Sequence, residues 1–191
     1  MIRQYLKPKS DDDINGVLHN YKDKCLIIPS SSHLNSVRIQ YITDGITDNN
    51  DWCSIDQNSS YLELYFLDGY SFKINSYTFV VRKGTTASTP KSWIVKGYTG
   101  TNWITIDQKN DFISNSDFRN FNISSTSPIY KIQFMQTARN ALGNYHFCLR
   151  ELEIFGTLAK DLGVISCNKF YADSFSILNS ILTSIFFCIL I

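Results

Sequence analysis

Three histidines and five cysteines are among the side chains of this 191-residue chain that could act as nucleophiles, general bases or metal ligands. The histidines are His19, His33 and His146, and no serine lies in a G-x-S-x-G nucleophile elbow. Nothing around any cysteine marks it as an activated nucleophile. The phosphate-binding patterns G-x-x-x-x-G-K-S/T and G-x-G-x-x-G are also missing. The sequence therefore predicts a protein that is not an enzyme and that uses no cofactor.

The cysteines are odd in number and widely spaced: Cys25, Cys53, Cys148, Cys167 and Cys188. No C-x-x-C pair and no cysteine and histidine cluster has the spacing of a metal site, so no metal centre is predicted. Residues 1–16 contain three consecutive aspartates and no apolar stretch of the kind that a secretory signal needs. We therefore expect reduced thiols and a cytoplasmic protein.

The composition is that of one globular domain without unusual charge. Hydrophobic residues make up 43% of the chain and aromatic residues 14%, which is enough for a single core. There are 18 lysines and arginines and 17 aspartates and glutamates, which gives a formal charge of +1. Because there is no basic stripe, nucleic acid is not an expected partner.

Strands must position any site in this chain, because apolar and polar residues alternate along most of it. In YLELYF, Leu62, Leu64 and Phe66 fall on one face, and SYTFVVRKG and IYKIQFMQT show the same period. Turn-rich segments separate these runs, so we expect an all-β fold, an antiparallel β-sandwich. In HFCLRELEIFG the apolar phase slips by one residue around Arg150 and Glu151, which predicts a β-bulge.

Trp93 and Trp103 lie ten positions apart, in two apolar runs that are joined by GYTGT. The glycines supply the positive φ that a tight hairpin needs, so we expect adjacent strands. A tryptophan on a strand buries a large area, which favours a packing role over a ligand platform.

The C-terminal segment SFSILNSILTSIFFCILI, residues 174–191, is apolar and uncharged. Its length is close to the roughly 20 residues that span a bilayer as a helix. The alternatives are a tail anchor, a glycolipid-anchor signal, a helix packed on a partner, and an incidental extension. The glycolipid-anchor signal ranks last because it requires entry into the secretory pathway. We expect any membrane contact to be made by this C-terminal apolar segment alone.

Four stretches in a fixed order carry a family resemblance: WCSIDQNSSYLELYF, INSYTFVVRKG, PKSWIVKGYTGTNWITID and a closing ELEIFG. Together they resemble the coagulation factor V/VIII type C domain, or discoidin-like domain, of the galactose-binding-like superfamily. The resemblance spans residues 25–157, which leaves residues 1–24 as an N-terminal extension and 158–191 as a linker and tail. It implies a jelly-roll-like β-sandwich of eight strands whose end loops bind ligands. It also implies that Trp93 and Trp103 have mainly structural roles.

The resemblance leaves two functions open. Secreted members often tie their chain ends with a disulfide, for which this chain lacks the flanking cysteines, and the sequence is similar instead to intracellular members that accompany BTB-type adaptor modules. We therefore predict a non-catalytic binding module for protein–protein interaction inside the cell, with a protein segment as its partner. The alternative is a carbohydrate-binding module of a surface or lumenal protein, with a glycan as its partner.

The family layout brings three polar loops to one rim of the sandwich: DGITDNNDW, RKGTTASTPK and ARNALGNYH. Arginine, asparagine and tyrosine are common contacts in protein and sugar sites. The candidate ligand-binding residues are Arg82, Lys83, Arg139, Asn140, Asn144 and Tyr145. Carbohydrate-binding relatives often hold a structural calcium, for which the matching residues are Asp44 and Glu151, but we expect Asp44 to cap its own turn.

Overall fold

The computed structural model describes residues 2–9, 13–34, 38–46, 50–81, 88–111, 118–124 and 127–160. The C-terminal helix predicted at 174–191 lies outside these ranges, as do Arg82 and Lys83. Within these ranges, one helix, α1 (Val17–Asn20), and two 3-10 helices, Lys22–Lys24 and Ile39–Thr43, accompany the strands. The strands are β1 (Ile2–Leu6), β2 (Cys25–Pro29), β3 (Trp52–Cys53), β4 (Tyr61–Phe66), β5 (Tyr70–Val80), β6 (Trp93–Tyr98), β7 (Trp103–Lys109), β8 (Phe118–Asn122), β9 (Lys131–Gln136), β10 (Cys148–Leu149) and β11 (Glu151–Lys160).

Two antiparallel sheets enclose the core. One has the strand order β1-β11-β5-β8 and the other the order β2-β4-β9-β6-β7, while β3 and β10 form a separate short pair. Buried side chains from both sheets form a single hydrophobic cluster. The all-β, antiparallel sandwich that the alternating pattern predicts is confirmed, and strands such as β6 and β9 send every second side chain into that cluster.

Aromatic rings fill the middle of the core. The ring centroids of Tyr77, Trp93 and Phe134 lie 5.2, 5.3 and 5.5 Å from that of Phe79. Trp93 has no exposed surface, which confirms its predicted packing role. Trp103 lies on the neighbouring strand of the predicted hairpin, but β7 is an edge strand and Trp103 is 41% exposed.

The phase slip near Arg150 marks a change of sheet rather than a bulge. Leu149 ends β10, which pairs with β3, and Glu151 begins β11, which pairs with β5. The apolar residues on both sides of Arg150 are buried, as the pattern requires. The register shift within β11 lies further on, between Phe155 and Gly156.

The prediction that the cysteines are all reduced is wrong. Cys53 on β3 lies directly opposite Cys148 on β10, and the two form a disulfide across a sequence separation of 95. Rules based on close cysteine spacing cannot detect this pair, because only the folding of the whole chain brings β3 and β10 together. Among the described cysteines, Cys25 keeps a free thiol, and burial raises its pKa to about 12.

The N-terminal residues take part in the sandwich. β1 pairs with β11 from Ile2 opposite Lys160 to Leu6 opposite Gly156. Helix α1 packs on β11, where the carboxylate of Glu153 accepts hydrogen bonds from backbone N–H groups at the start of the helix. The segment that the sequence analysis assigns to an N-terminal extension therefore adds an edge strand and a helix to the fold.

Candidate ligand-binding end of the sandwich

The strand register brings the ends of several strands to one end of the sandwich. Val80 pairs with both Glu151 and Phe118, and Trp93 pairs with both Lys109 and Gln136. The end of β5, the starts of β6, β8 and β11, and the ends of β7 and β9 therefore lie at the same end of the sandwich, which also carries the β3 and β10 pair. We call this the loop end. The start of β1 and the end of β11 lie at the opposite end.

Asn140 holds the loop 139–146 in shape. Its side chain is buried, and its Oδ1 accepts hydrogen bonds from the backbone N–H groups of Leu142, at 2.9 Å, and Asn144, at 3.3 Å. Its Nδ2 donates to the side-chain oxygen of Asn144 and, at 2.9 Å, to the carbonyl oxygen of His146. Gly143 completes the turn with a φ of 83°, which few other residues adopt. Asn140 and Asn144, both predicted to contact ligand, are thus engaged in shaping the loop.

Arg139 and Tyr145 stand together on this loop. The guanidinium carbon of Arg139 lies 4.9 Å from the ring centroid of Tyr145, and Nη1 donates to the carbonyl oxygen of Gly143. The backbone N–H of Tyr145 donates to Oδ1 of Asp56 at 2.7 Å, which ties the loop to the segment after β3. Arg139 is exposed and carries five N–H donors in a rigid plane, so it can also serve an external acceptor.

His33 and His146 meet beside the end of β3. The backbone N–H of His33 donates to the carbonyl oxygen of Cys53 at 2.8 Å, and Nδ1 of His146 lies 2.8 Å from the carbonyl oxygen of Ser54. The two ring centroids are 5.5 Å apart, edge to face. Because a carbonyl oxygen only accepts, this contact requires a proton on Nδ1 of His146.

The structure thus joins four of the six predicted residues in one loop, while Arg82 and Lys83 lie outside the described ranges. Sequence reasoning missed His33 and Asp56. Asp56 is 89 positions from the residue whose backbone it binds, and His33 meets its partner only through the pairing of β3 with β10. No local signal in the sequence marks either residue, because neither contact is local.

The residues weighed for calcium do come together. Oε1 of Glu151 accepts a hydrogen bond from the backbone N–H of Gly45 at 3.1 Å, and Oδ1 of Asp44 accepts one from the backbone N–H of Ile46 at 2.8 Å. The second contact is the turn cap expected for Asp44. Elsewhere, the carboxylate of Asp51 lies close to Cys53 and Cys148, but both sulfurs are bonded to each other and offer no thiolate to a metal.

An apolar groove of about 400 Å³ runs along β2 and the 3-10 helix Ile39–Thr43. Cys25 and Leu26 line one side, and Tyr41 lines the other. The raised pKa of the Cys25 thiol keeps it protonated at neutral pH, so the groove contains no thiolate nucleophile. Within the described ranges, no helix is long and apolar enough to cross a membrane.

Comparisons with known proteins show a shared fold. No family model matches the sequence, and no curated protein matches it. The structure is similar to the module CpGH89CBM32-5 from Clostridium perfringens in complex with GalNAc-β-1,3-galactose, with a TM-score of 0.58 and 19% identity over 70% of this chain and 96% of that chain.

Two further solved structures show the same likeness. For the family 32 carbohydrate-binding module of C. perfringens NanJ in complex with galactose, the TM-score is 0.58 and the identity 12%, over 72% of this chain and 96% of that chain. For a fucose binding module of Streptococcus pneumoniae, the TM-score is 0.54 and the identity 15%, over 68% and 89%. The chain therefore has the sandwich fold of these carbohydrate-binding modules.

Proposed function

We propose that this chain is a non-catalytic carbohydrate-binding module whose loop end binds a glycan. The observation that carries the proposal is the convergence of an exposed arginine, a tyrosine ring and a histidine pair on the loop end of this fold. Proteins with the same fold hold galactose and GalNAc-β-1,3-galactose in their solved structures. The glycan, which the sequence analysis gives as the alternative partner, thus has more support than a protein segment.

The chemistry of the loop end suits a sugar. A hexose presents hydroxyl groups that both donate and accept around its rim, together with an apolar C–H face. Arg139 supplies donors, the rings of His33 and His146 supply further polar groups, and the ring of Tyr145 supplies an apolar surface. The internal hydrogen bonds of Asn140 fix the loop before ligand arrives, which lowers the entropic cost of binding.

The disulfide supports a compartment that fits this function. Bonds such as that between Cys53 and Cys148 form and persist in oxidising surroundings and are rare in the cytosol. We therefore propose a location at the cell surface or in a lumenal compartment, in preference to the cytoplasmic location expected from the N-terminal residues.

Calorimetric titration of the full chain with galactose and with GalNAc-β-1,3-galactose tests the proposal. We expect Arg139→Ala and His33→Ala each to weaken binding at least about tenfold, which corresponds to about 1.4 kcal/mol. Arg139→Lys keeps the charge but loses the planar guanidinium group and its paired N–H donors, and should weaken binding as well. Lys73→Ala, an exposed change on the outer face of the other sheet, is the control. Binding that survives Arg139→Ala and His33→Ala unchanged would remove the loop end as the site.

A further inference from the structure

A row of side chains crosses the outer face of the five-stranded sheet, far from the loop end. Tyr65 on β4 lies opposite Lys131 on β9, Lys131 lies opposite Tyr98 on β6, and Tyr98 lies opposite Trp103 on β7. We call these four residues the ring row. Each member touches the next, because residues that are directly opposite on adjacent strands point to the same face of the sheet.

The contacts within the ring row are close. The Nζ atom of Lys131 lies 4.5 Å from the ring centroid of Tyr65 and 5.3 Å from that of Tyr98. The centroids of Tyr98 and Trp103 are 5.5 Å apart. The ammonium group is therefore flanked by aromatic faces on both sides, which is the geometry of a cation–π pair.

Two of the rings are held at their hydroxyl ends. The Tyr98 hydroxyl donates to the carbonyl oxygen of Gly100 at 2.8 Å. The Tyr65 hydroxyl forms a hydrogen bond with Glu63, and this bond is the main cause that raises the pKa of Tyr65 to about 12. The carboxylate of Glu63 also accepts a hydrogen bond from Nε2 of Gln133 at 3.1 Å. The rings are thus fixed before any ligand binds, as in other preorganised sites.

The ring row is partly exposed and carries a positive charge. Trp103 is 41% exposed, and the other three residues are half-buried. Within the described part of the chain, Lys131 takes part in none of the ion pairs. A contiguous strip of partly exposed aromatic rings is a candidate binding surface. The charge at its centre calls for an anionic group on whatever binds there.

We propose that the ring row is a second binding site, for an extended acidic glycan whose sugar rings stack on Trp103, Tyr98 and Tyr65 and whose carboxylate pairs with Lys131. Adjacent strands lie about 4.8 Å apart, so the row spans three strand spacings, or roughly 14 Å. One strand spacing is close to the length of one sugar ring. An extended oligosaccharide that lies across the strands can therefore place successive sugars over successive side chains of the row.

A protein partner fits the ring row less well. A stable protein interface covers about 800 Å² on each side, far more than four partly exposed side chains provide. A narrow ligand with apolar faces, polar edges and one negative charge matches the surface in both size and chemistry. This site does not depend on the loop end, so either proposal can fail without the other.

Titration of the full chain with two acidic probes tests the ring row: an oligosaccharide of alternating glucuronate and N-acetylglucosamine, and a sialylated trisaccharide. We expect at least one to bind, and its carboxyl-reduced form to bind at least about tenfold more weakly. Trp103→Ala and Lys131→Gln should each reduce affinity about tenfold. Lys73→Gln, an exposed change on the other sheet, should leave affinity for the acidic probe unchanged.

Three results would overturn this proposal. The first is that neither acidic probe binds to the folded chain, and the second is that the acidic and carboxyl-reduced forms bind equally. The third is that sedimentation shows a dimer that Trp103→Ala dissociates. The last result would assign the face to a second copy of the chain. Because Trp103 is exposed on an edge strand, thermal melting should show that its alanine variant remains folded. Binding of neutral galactosides, measured in parallel, reports separately on the loop end.

Discussion

Trp93 donates its indole N–H to the hydroxyl oxygen of Tyr77 at 2.9 Å, deep between the two sheets. Tyr77 in turn donates its own proton to Oδ2 of Asp107 at 2.7 Å, on edge strand β7. This chain of hydrogen bonds satisfies two polar groups inside the aromatic core and joins β5, β6 and β7. Burial and the bond to Asp107 together raise the pKa of Tyr77, so its hydroxyl remains protonated.

Removal of the core tryptophan should be costly. Trp93→Ala is expected to lower the free energy of unfolding by about 3–5 kcal/mol, because it leaves a large cavity among packed rings. Tyr77→Phe should cost about 1–3 kcal/mol, because it removes both hydrogen bonds and keeps the ring. Trp103→Ala is the matched control and should have a small effect. Urea denaturation monitored by circular dichroism measures all three; a Trp93→Ala variant as stable as the parent would contradict the buried position of this residue.

The disulfide should be present and stabilising in the native protein. We expect peptide mapping without reductant to recover Cys53 linked to Cys148 and to find Cys25 alkylated. The double variant Cys53→Ala with Cys148→Ala should lose about 2–5 kcal/mol of stability, because the bond closes a long loop in the unfolded chain. Free thiols at both positions in protein isolated from its native source would remove the argument for an oxidising compartment.

Glu153 should make stability depend on pH. Burial raises its pKa from 4.5 to about 7, although the backbone N–H groups that it binds lower the value in part. Because the folded-state pKa lies above the unfolded one, the stabilisation is full below pH 4.5 and is lost as pH rises through 7. One pKa unit corresponds to about 1.4 kcal/mol, so the loss is at most about 3–4 kcal/mol.

The measurement compares the parent with Glu153→Gln by urea denaturation between pH 4.5 and 8. Gln does not titrate, so the parent should lose stability relative to the variant as the pH rises. A difference between the two that stays constant over this range would show that Glu153 has an ordinary pKa in the folded protein.

Gly156 should tolerate no side chain. Its φ is 154°, and a Cβ atom at this position would lie 2.0 Å from the carbonyl oxygen of Lys73 on the paired strand β5. Gly156→Ala should therefore destabilise the protein by more than the ~1–3 kcal/mol of backbone strain alone. Gly143→Ala is the control: its φ is 83°, but nothing lies within 4 Å of the added atom, so only strain is expected. Thermal melting of both variants separates the clash from the strain, and equal melting temperatures would contradict the close approach of β5 and β11.

The strands and their buried faces could be predicted because period two is a local property. Leu62, Leu64 and Phe66 are buried as their spacing predicts, and Trp93 is buried with them. The pattern could not place Trp103, because alternation predicts which face a residue occupies but not whether the strand lies at an edge. The phase slip at Arg150 was visible in the sequence, but its cause, a change of pairing partner from β3 to β5, was not.

The sequence by itself determined an all-β sandwich with an aromatic core and a polar loop at 139–146, since each follows from neighbouring residues. Only the tertiary structure decided which distant residues meet. It joined Cys53 to Cys148, set His33 beside His146, and aligned the ring row across four strands. These contacts depend on the register between strands that are far apart in the chain, and that register follows from the packing of the whole core rather than from any local pattern.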